Sequence, residues 1–361
     1  MHKRPTLLVM AGGTGGHIFP GIAVAEYLQT QGWDIHWLGT AKRMEASLVP
    51  KYGFDISFIN IAGIRNKSFA TLLKTPFKLL QSVIQSMKVI NKVKPDVVLG
   101  MGGYASAPGG VAAWLLGKPL ILHEQNAVAG MSNRYLAYLA SKVLSAFPTA
   151  FKPGVKPTVV GNPIRKNIVA LLSEMKNEPT TNSKKVLVVG GSLGAQILNE
   201  QVPQALKQLK GFNFQVWHQT GQGNLAFVEQ SYQEAEIAQD DFKITEFIDD
   251  MAEAYQWADV VICRAGALTV SELAIAGKPA IFIPLPHAVD DHQTKNAKYL
   301  VDKGAAKLLP QKDLTSMQIA QTLNSMFASE KVLQAMSKAA YEAAYNDATE
   351  QVAKACIEQV K

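Results

Sequence analysis

The sequence predicts an α/β protein of two tandem doubly wound, Rossmann-like parallel-sheet domains, with a ligand cleft expected between them. Three observations predict it. Short apolar runs of strand length alternate with helical stretches along the chain, the pattern of parallel sheets covered on both faces. The pattern then restarts: an offset of 178 lays Gly190 on Gly12, Gly191 on Gly13, Ser192 on Thr14 and Gly194 on Gly16. Finally, 361 residues exceed the ~250–300 at which a single core stops growing.

Taken in order, Thr6–Ala11 reads as a buried strand closed by Gly12-Gly-Thr-Gly-Gly-His17. A helix is expected from Ile18 to Gln29, with Pro20 in its first turn, where proline is tolerated. Further strands are expected at Asp34–Gly39, Ile56–Ile59, Asp96–Gly100, Leu120–Glu124 and Lys142–Ala146. The second series runs Lys185–Val189, Asn213–Trp217, Lys243–Glu246, Val260–Cys263 and Ala280–Ile283, and Glu330–Lys361 reads as helical. Prolines 148, 153, 157 and 163 punctuate the approach to Gly161-Asn-Pro163, where the domains are expected to join. The expected domains are 1–162, 163–340, and a C-terminal helix at 341–361 packing back toward the first.

Composition narrows the class. Hydrophobic content of 48% with 18% charged residues fits a well-cored protein. Two distant cysteines, Cys263 and Cys356, argue against a disulfide framework or a Cys-based zinc site. No apolar run approaches the ~20 residues of a spanning helix, and a strand is expected within six residues of Met1, so a cytoplasmic location is expected. Charge is uneven. Residues 1–163 hold 17 Lys+Arg against 6 Asp+Glu and residues 164–361 hold 19 against 23; +11 and −4 sum to the net +7. The basic half is expected to meet an anionic surface.

The motifs that could carry chemistry sit at strand ends. Arg264-Ala-Gly-Ala-Leu-Thr-Val-Ser-Glu272 follows a strand and opens a helix, so backbone N–H groups and a dipole point at one place, suited to a phosphate or diphosphate. Glu272 is expected in the first turn facing solvent, either as a simple helix-start acid or as an acceptor for ribose hydroxyls. An ordinary strand-to-helix turn would look the same. The Rossmann dinucleotide fingerprint fails because position 18 is Ile, and no Gly-Lys-Ser/Thr makes a phosphate loop. His17 opens the first helix; a cation is disfavoured there, which suits a proton acceptor, although a packing histidine is equally compatible. His287-Ala-Val-Asp-Asp-His292 matches no standard metal spacing and reads as a loop, where Asp290, Asp291 or Gln293 could equally meet sugar hydroxyls. Ile56–Pro95 contains no acid but seven basic residues: Arg65, Lys67, Lys74, Lys78, Lys88, Lys92 and Lys94. On a helical wheel Leu73, Phe77, Leu80, Ile84 and Met87 share a face, with Leu72, Leu79, Val83 and Ile90 beside it. Lys74, Lys78, Lys88 and Lys92 edge that face. It is either a core face or a basic amphipathic surface for anionic lipid.

Together GGTGGH at 12–17, GMGGYAS at 100–106, HEQN at 123–126, GNPIR at 161–165, GGSLGA at 190–195, EFIDDM at 246–251, RAGALTVSE at 264–272 and HQTKNA at 292–297 resemble the MurG family of peptidoglycan glycosyltransferases, enzymes of GT-B type. The resemblance implies transfer of N-acetylglucosamine from UDP-N-acetylglucosamine to lipid I, making lipid II at the cytoplasmic face of the inner membrane. It implies donor contacts from Thr14, Gly15, Gly16, Asn126, Arg165, Ser192, Ile248, Ala267, Leu268, Thr269, Val270, Ser271, Glu272 and Gln293. Glu272 would hold the ribose and the Ile248 backbone the uracil, with His17 as catalytic base. Family members often carry a second Gln beside the one at 293; here His292 stands there, so the sugar contact falls to Gln293 alone. No metal, organic cofactor or nucleic-acid partner is implied, and no oligomeric state. A UDP-N-acetylglucosamine 2-epimerase and a non-catalytic membrane-docking nucleotide-sugar sensor are the alternatives.

Overall fold

A computed structural model of the chain describes residues 4–61, 75–174, 183–191, 193–209, 211 and 213–360. Its contacts divide it into two units: Met1–Arg165 with Tyr345–Lys361, and Lys166–Ala344.

The first unit holds seven parallel strands: β1 (Thr6–Ala11), β2 (Asp34–Gly39), β3 (Asp55–Phe58), β4 (Val97–Gly102), β5 (Leu120–Glu124), β6 (Lys142–Ser145) and β7 (Thr158–Val159). Their order is β3-β2-β1-β4-β5-β6-β7. The direction of winding therefore reverses between β1 and β4, the switch point at which doubly wound sheets bind ligands. Strand periodicity explains the burial on both faces. Leu7 and Val9 point into one cluster with Ile18, Ile22 and Val352, while Leu8 and Met10 point into another with Ile90, Ala112 and Leu136.

The second unit repeats the plan with β8 (Ser183–Val189), β9 (Asn213–Gln219), β10 (Phe242–Thr245), β11 (Val260–Cys263), β12 (Ala280–Phe282) and β13 (Ala306–Leu308), all parallel. The order β10-β9-β8-β11-β12-β13 puts its switch point between β8 and β11. Val186, Val188, Val260, Ile262 and Ile281 meet Leu198, Val202 and Leu323 of the covering helices in one core cluster.

Three local expectations need correction. The first helix runs Gly15–Thr30, three residues earlier than expected, so Pro20 is its sixth residue and removes the donor that the Gly16 carbonyl would take. Strands β7 and β13 were not expected: at two and three residues they are too short to show period-two alternation. The C-terminal helical stretch is two helices, Glu330–Glu342 and Ala348–Ile357. The second buries Val352, Ala353, Ala355 and Cys356 in the first unit's core.

Among the described residues no helix is long and apolar enough to cross a membrane. The helix Thr75–Val93 instead turns its small polar residues inward. Ser82 and Ser86, four apart, are fully buried, their hydroxyls donating to the Asn60, Lys78 and Ser82 carbonyls. Phe77, Leu80 and Ile84 face outward at 77%, 59% and 45% exposure. The helix is therefore amphipathic with part of its apolar face unpartnered, and a wholly core-facing reading fails. Arg65, Lys67, Leu72, Leu73 and Lys74 lie outside the described residues.

Candidate functional site

In the first unit the β1 turn is held from behind by a side chain to which the sequence offered no clue. Glu45 is buried; its Oε2 accepts from Gly13 N–H at 2.9 Å, and its Oε1 from the Thr40 N–H at 3.1 Å and hydroxyl at 2.6 Å. Thr14 is the N-cap of the first helix, its carbonyl accepting from His17 N–H at 3.1 Å and Ile18 N–H at 3.2 Å. Gly15, Gly16 and His17 form the first turn, half-buried at the switch point.

The His17 imidazole lies on the end of β4. A Cβ at Gly102, whose φ is +103°, would stand 3.2 Å from His17 Cε1 and Nδ1, so the bare backbone there makes room for the ring. His17 Nδ1 is 2.9 Å from Gln125 Oε1. Gln125 Nε2 is 3.1 Å from His123 Nδ1, and His123 Nε2 is 2.8 Å from the Gly161 carbonyl. Gln125 and His123 are buried, and burial pulls the His123 imidazole down to about 4 despite the Gly161 hydrogen bond.

The neighbouring Glu124, also buried, shapes the loop that carries Asn126. Its Oε1 accepts from the Asn126 backbone and side chain at 2.9 and 3.2 Å, and its Oε2 from Gly130 N–H and Asn133 Nδ2 at 3.0 and 2.9 Å. Arg165 stacks its guanidinium over the Phe19 ring at 5.0 Å, which ties the residue to the first helix. Gly161-Asn-Pro163, read from sequence as a joint, also does local work: Asn162 Nδ2 donates to the Gln125 carbonyl at 3.2 Å.

In the second unit, the turn after β11 is braced from both sides. Arg264 Nη1 donates to the Ile283 and Pro284 carbonyls at 2.9 and 3.2 Å, and Asn296 Nδ2 donates to the Ala265 carbonyl at 3.2 Å. Gly266 is the N-cap of the helix Ala267–Ile275 and contributes no side chain. The N–H groups of Ala267, Leu268 and Thr269 have no intrahelical acceptor and point outward with the dipole. Val270 N–H already bonds the Gly266 carbonyl at 2.9 Å and its side chain is fully buried. Ser271 donates back to the Ala267 carbonyl at 3.1 Å. The first three residues of the 267–272 stretch are thus the ones whose N–H groups lie in the helix's first turn.

Glu272 departs from expectation. It lies in the second turn, 4% exposed, with Oε2 accepting from the Tyr255 hydroxyl at 3.0 Å. The helix Met251–Trp257 that carries Tyr255 is capped by Asp250, whose side chain accepts from Ala252 N–H and Glu253 N–H. Ile248, just before that cap, is buried, leaving its backbone as the polar offering. Gln293 is in the first turn of the helix His292–Val301, with Oε1 accepting from Leu285 N–H at 2.9 Å. Asp290 and Asp291 lead into it through left-handed backbone, φ 56° and 52°. Among the described residues no three His, Cys, Asp or Glu side chains gather as a metal cluster. Ser192 lies outside the described residues. Beside it, Gly191 N–H donates to Gln219 Oε1 at 3.0 Å, so a neutral amide stands where the first unit uses the Glu45 carboxylate.

Two such units, each with a glycine turn after its first strand, are the architecture of the GT-B glycosyltransferases. The N-terminal domain profile of glycosyltransferase family 28 matches residues 7–145, and its C-terminal domain profile residues 185–352. The chain belongs to that family. It is 60% identical, over 97% of its own length and 92% of the relative, to a Colwellia psychrerythraea UDP-N-acetylglucosamine–N-acetylmuramyl-(pentapeptide) pyrophosphoryl-undecaprenol N-acetylglucosamine transferase. The crystal structure of Acinetobacter baumannii MurG matches at 40% identity and TM-score 0.83, over 98% of this chain and 99% of that one. A UDP-GlcNAc 2-epimerase from Neisseria meningitidis matches at 12% identity and TM-score 0.66, over 98% of this chain and 100% of that one, a likeness of fold alone.

Proposed function

We propose that the chain transfers N-acetylglucosamine from UDP-N-acetylglucosamine to lipid I, forming lipid II in peptidoglycan synthesis. The observation that carries this is high identity to transferases of that name through both units. Many sugar-transferring proteins could share a donor half; the acceptor half decides what receives the sugar. The epimerase reading has only fold in its support.

The chemistry follows from the two sites. Inversion sets the attacking hydroxyl and the departing diphosphate on opposite faces of the anomeric carbon. The half-buried His17 imidazole takes the acceptor's proton as its oxygen bonds to that carbon. The bond from carbon to UDP breaks, and the diphosphate charge settles on the first-turn N–H groups of Ala267, Leu268 and Thr269, already oriented before reaction. Glu272, held by Tyr255, accepts from ribose hydroxyls. The Ile248 backbone meets uracil and Gln293 turns its amide nitrogen to the sugar. Thr14, Gly15, Gly16, Asn126, Arg165 and Ser192 complete the donor contacts, Arg165 through charge-assisted hydrogen bonds.

The acceptor's lipid stays in a bilayer, so the enzyme works on the cytoplasmic face of the inner membrane. The outward Phe77, Leu80 and Ile84, beside Lys78, Lys88 and Lys92, support attachment through the first unit. Release of UDP from UDP-N-acetylglucosamine, measured with and without lipid I, tests the reaction. UDP release that ignores lipid I, or conversion of the donor to its 2-epimer, would overturn it.

A further inference from the structure

The chain of contacts from His17 to Gly161 has a single self-consistent assignment of protons. The Gly161 carbonyl can only accept, so His123 Nε2, 2.8 Å away, carries a hydrogen. His123 is wholly buried and neutral, so its Nδ1 is bare and accepts from the Gln125 amide nitrogen at 3.1 Å. The same amide nitrogen is 3.2 Å from the His123 carbonyl, a second acceptor. That orients the Gln125 amide with its oxygen toward His17, 2.9 Å from Nδ1. The reverse orientation would need both nitrogens of the buried His123 to carry hydrogen, a buried cation without a counter-ion. His17 Nδ1 therefore donates, and its lone pair is on Nε2, which makes no hydrogen bond among the described residues.

We infer that Gln125 and His123, anchored on the Gly161 carbonyl, are positioning residues that hold His17 in the Nδ1–H form with Nε2 as the proton-accepting atom. The inference rests on the reading of His17 as the base. The amide of Gln125 has no proton to pass on at ordinary pH, so the chain orients the imidazole and conducts nothing. When Nε2 takes the acceptor's proton, the Gln125 oxygen still accepts from Nδ1–H and so stabilises the cation that forms.

The test is nitrogen NMR of histidine-labelled full-length protein at about pH 8, above the ordinary imidazole range. The parent is expected to show His17 protonated on Nδ1 and His123 on Nε2. Gln125→Leu, which keeps volume and removes the amide's contacts with His17 and His123, is expected to release His17 toward the Nε2–H form. It should also lower kcat by roughly 10- to 100-fold, less than the roughly 10²–10⁴-fold of losing a general base outright, with donor KM within about twofold of the parent. An Nε2–H His17 in the parent, an unchanged tautomer in Gln125→Leu, or a change in KM alone would overturn the inference. The base reading fails separately: full turnover in His17→Ala would remove it while the NMR assignment stood.

Discussion

The hydroxyl of Tyr255 donates to Glu272 Oε2 across 3.0 Å, with both side chains buried. This contact ties the carboxylate proposed to hold the ribose to the core of the second unit. Glu272→Ala therefore costs more than donor affinity: it leaves a buried hydroxyl facing a hole, a penalty of about 1–3 kcal/mol. Tyr255→Phe removes the bond and keeps the shape, so it should lower stability by about 0.5–1.5 kcal/mol and weaken UDP-N-acetylglucosamine binding severalfold. Calorimetric titration beside thermal unfolding of the two variants checks both effects. Parent stability in Glu272→Ala would show that the carboxylate is not part of the packing.

Donor binding should be visible without turnover. UDP-N-acetylglucosamine at a hundredfold excess over its Kd should stabilise the parent by about 2.7 kcal/mol. UDP alone should give most of that shift, since uracil, ribose and diphosphate make most of the proposed contacts. A melting temperature indifferent to both ligands would sink the donor site.

Much of the frame was legible in sequence because strand ends and glycine turns leave local signals. The runs Thr6–Ala11, Asp34–Gly39, Leu120–Glu124 and Val260–Cys263 are strands to the residue. The offset of 178 marks two β-strand-to-helix turns that occupy equivalent switch points. What stayed hidden depends on contacts between distant residues. Nothing near Glu45 in sequence says that it accepts from Gly13, 32 positions earlier, and nothing near Gln125 points to His17, 108 away. Glu272 is hidden in the same way, since a polar residue at a helix start looks exposed until its partner Tyr255 is known. The amphipathic stretch could be read either way, since a helical wheel cannot say which stripe faces inward. Buried Ser82 and Ser86 decide that.

Acid should destabilise the fold through two buried histidines. Burial lowers His123 to about 4 and His218 to about 3, against 6.5 for the exposed group. His218 is held neutral between the Tyr232 hydroxyl at 3.0 Å and Asn199 Oδ1 at 3.1 Å. Below 6.5 the unfolded chain binds protons that the folded chain refuses, so acid favours unfolding. Stability from these groups is full above pH 6.5 and falls by about 1.4 kcal/mol per pH unit per histidine down to about pH 4. Urea unfolding at about pH 7, 6 and 5 reads the slope. A flat midpoint across that span would mean that one or both imidazoles are solvated.

Gly102→Ala tests how closely the backbone carries His17. The residue has φ +103°, where an L side chain is strained, and the added methyl meets the imidazole at 3.2 Å. Strain of this kind costs about 1–3 kcal/mol. The ring must also shift, so kcat should fall tenfold or more, since 1.4 kcal/mol of barrier is about tenfold. Donor affinity should stay near the parent value, because Gly102 is not among the proposed donor contacts. Single-turnover kinetics with a matched UDP titration separates the two, and unchanged kcat would place the ring elsewhere during reaction.

Membrane attachment should depend on two weak terms acting together. The helix Thr75–Val93 exposes Phe77, Leu80 and Ile84, and Lys78, Lys88 and Lys92 lie on the same helix. Each lysine near an anionic surface contributes about 1 kcal/mol, so three give at most about 3 kcal/mol. Burying two of the apolar side chains adds roughly 3–6 kcal/mol. Neither term anchors the protein alone, so attachment should be reversible, require anionic lipid and weaken with salt. Lys78→Glu with Lys88→Glu should abolish binding to anionic vesicles, and Phe77→Ser with Leu80→Ser should do so even at low salt. Both pairs should keep UDP-N-acetylglucosamine affinity, because none of these residues is among the proposed donor contacts. Turnover should then fall with lipid I in vesicles yet persist with a soluble short-chain acceptor. Vesicle binding that survives both pairs of substitutions would move the attachment surface away from this helix.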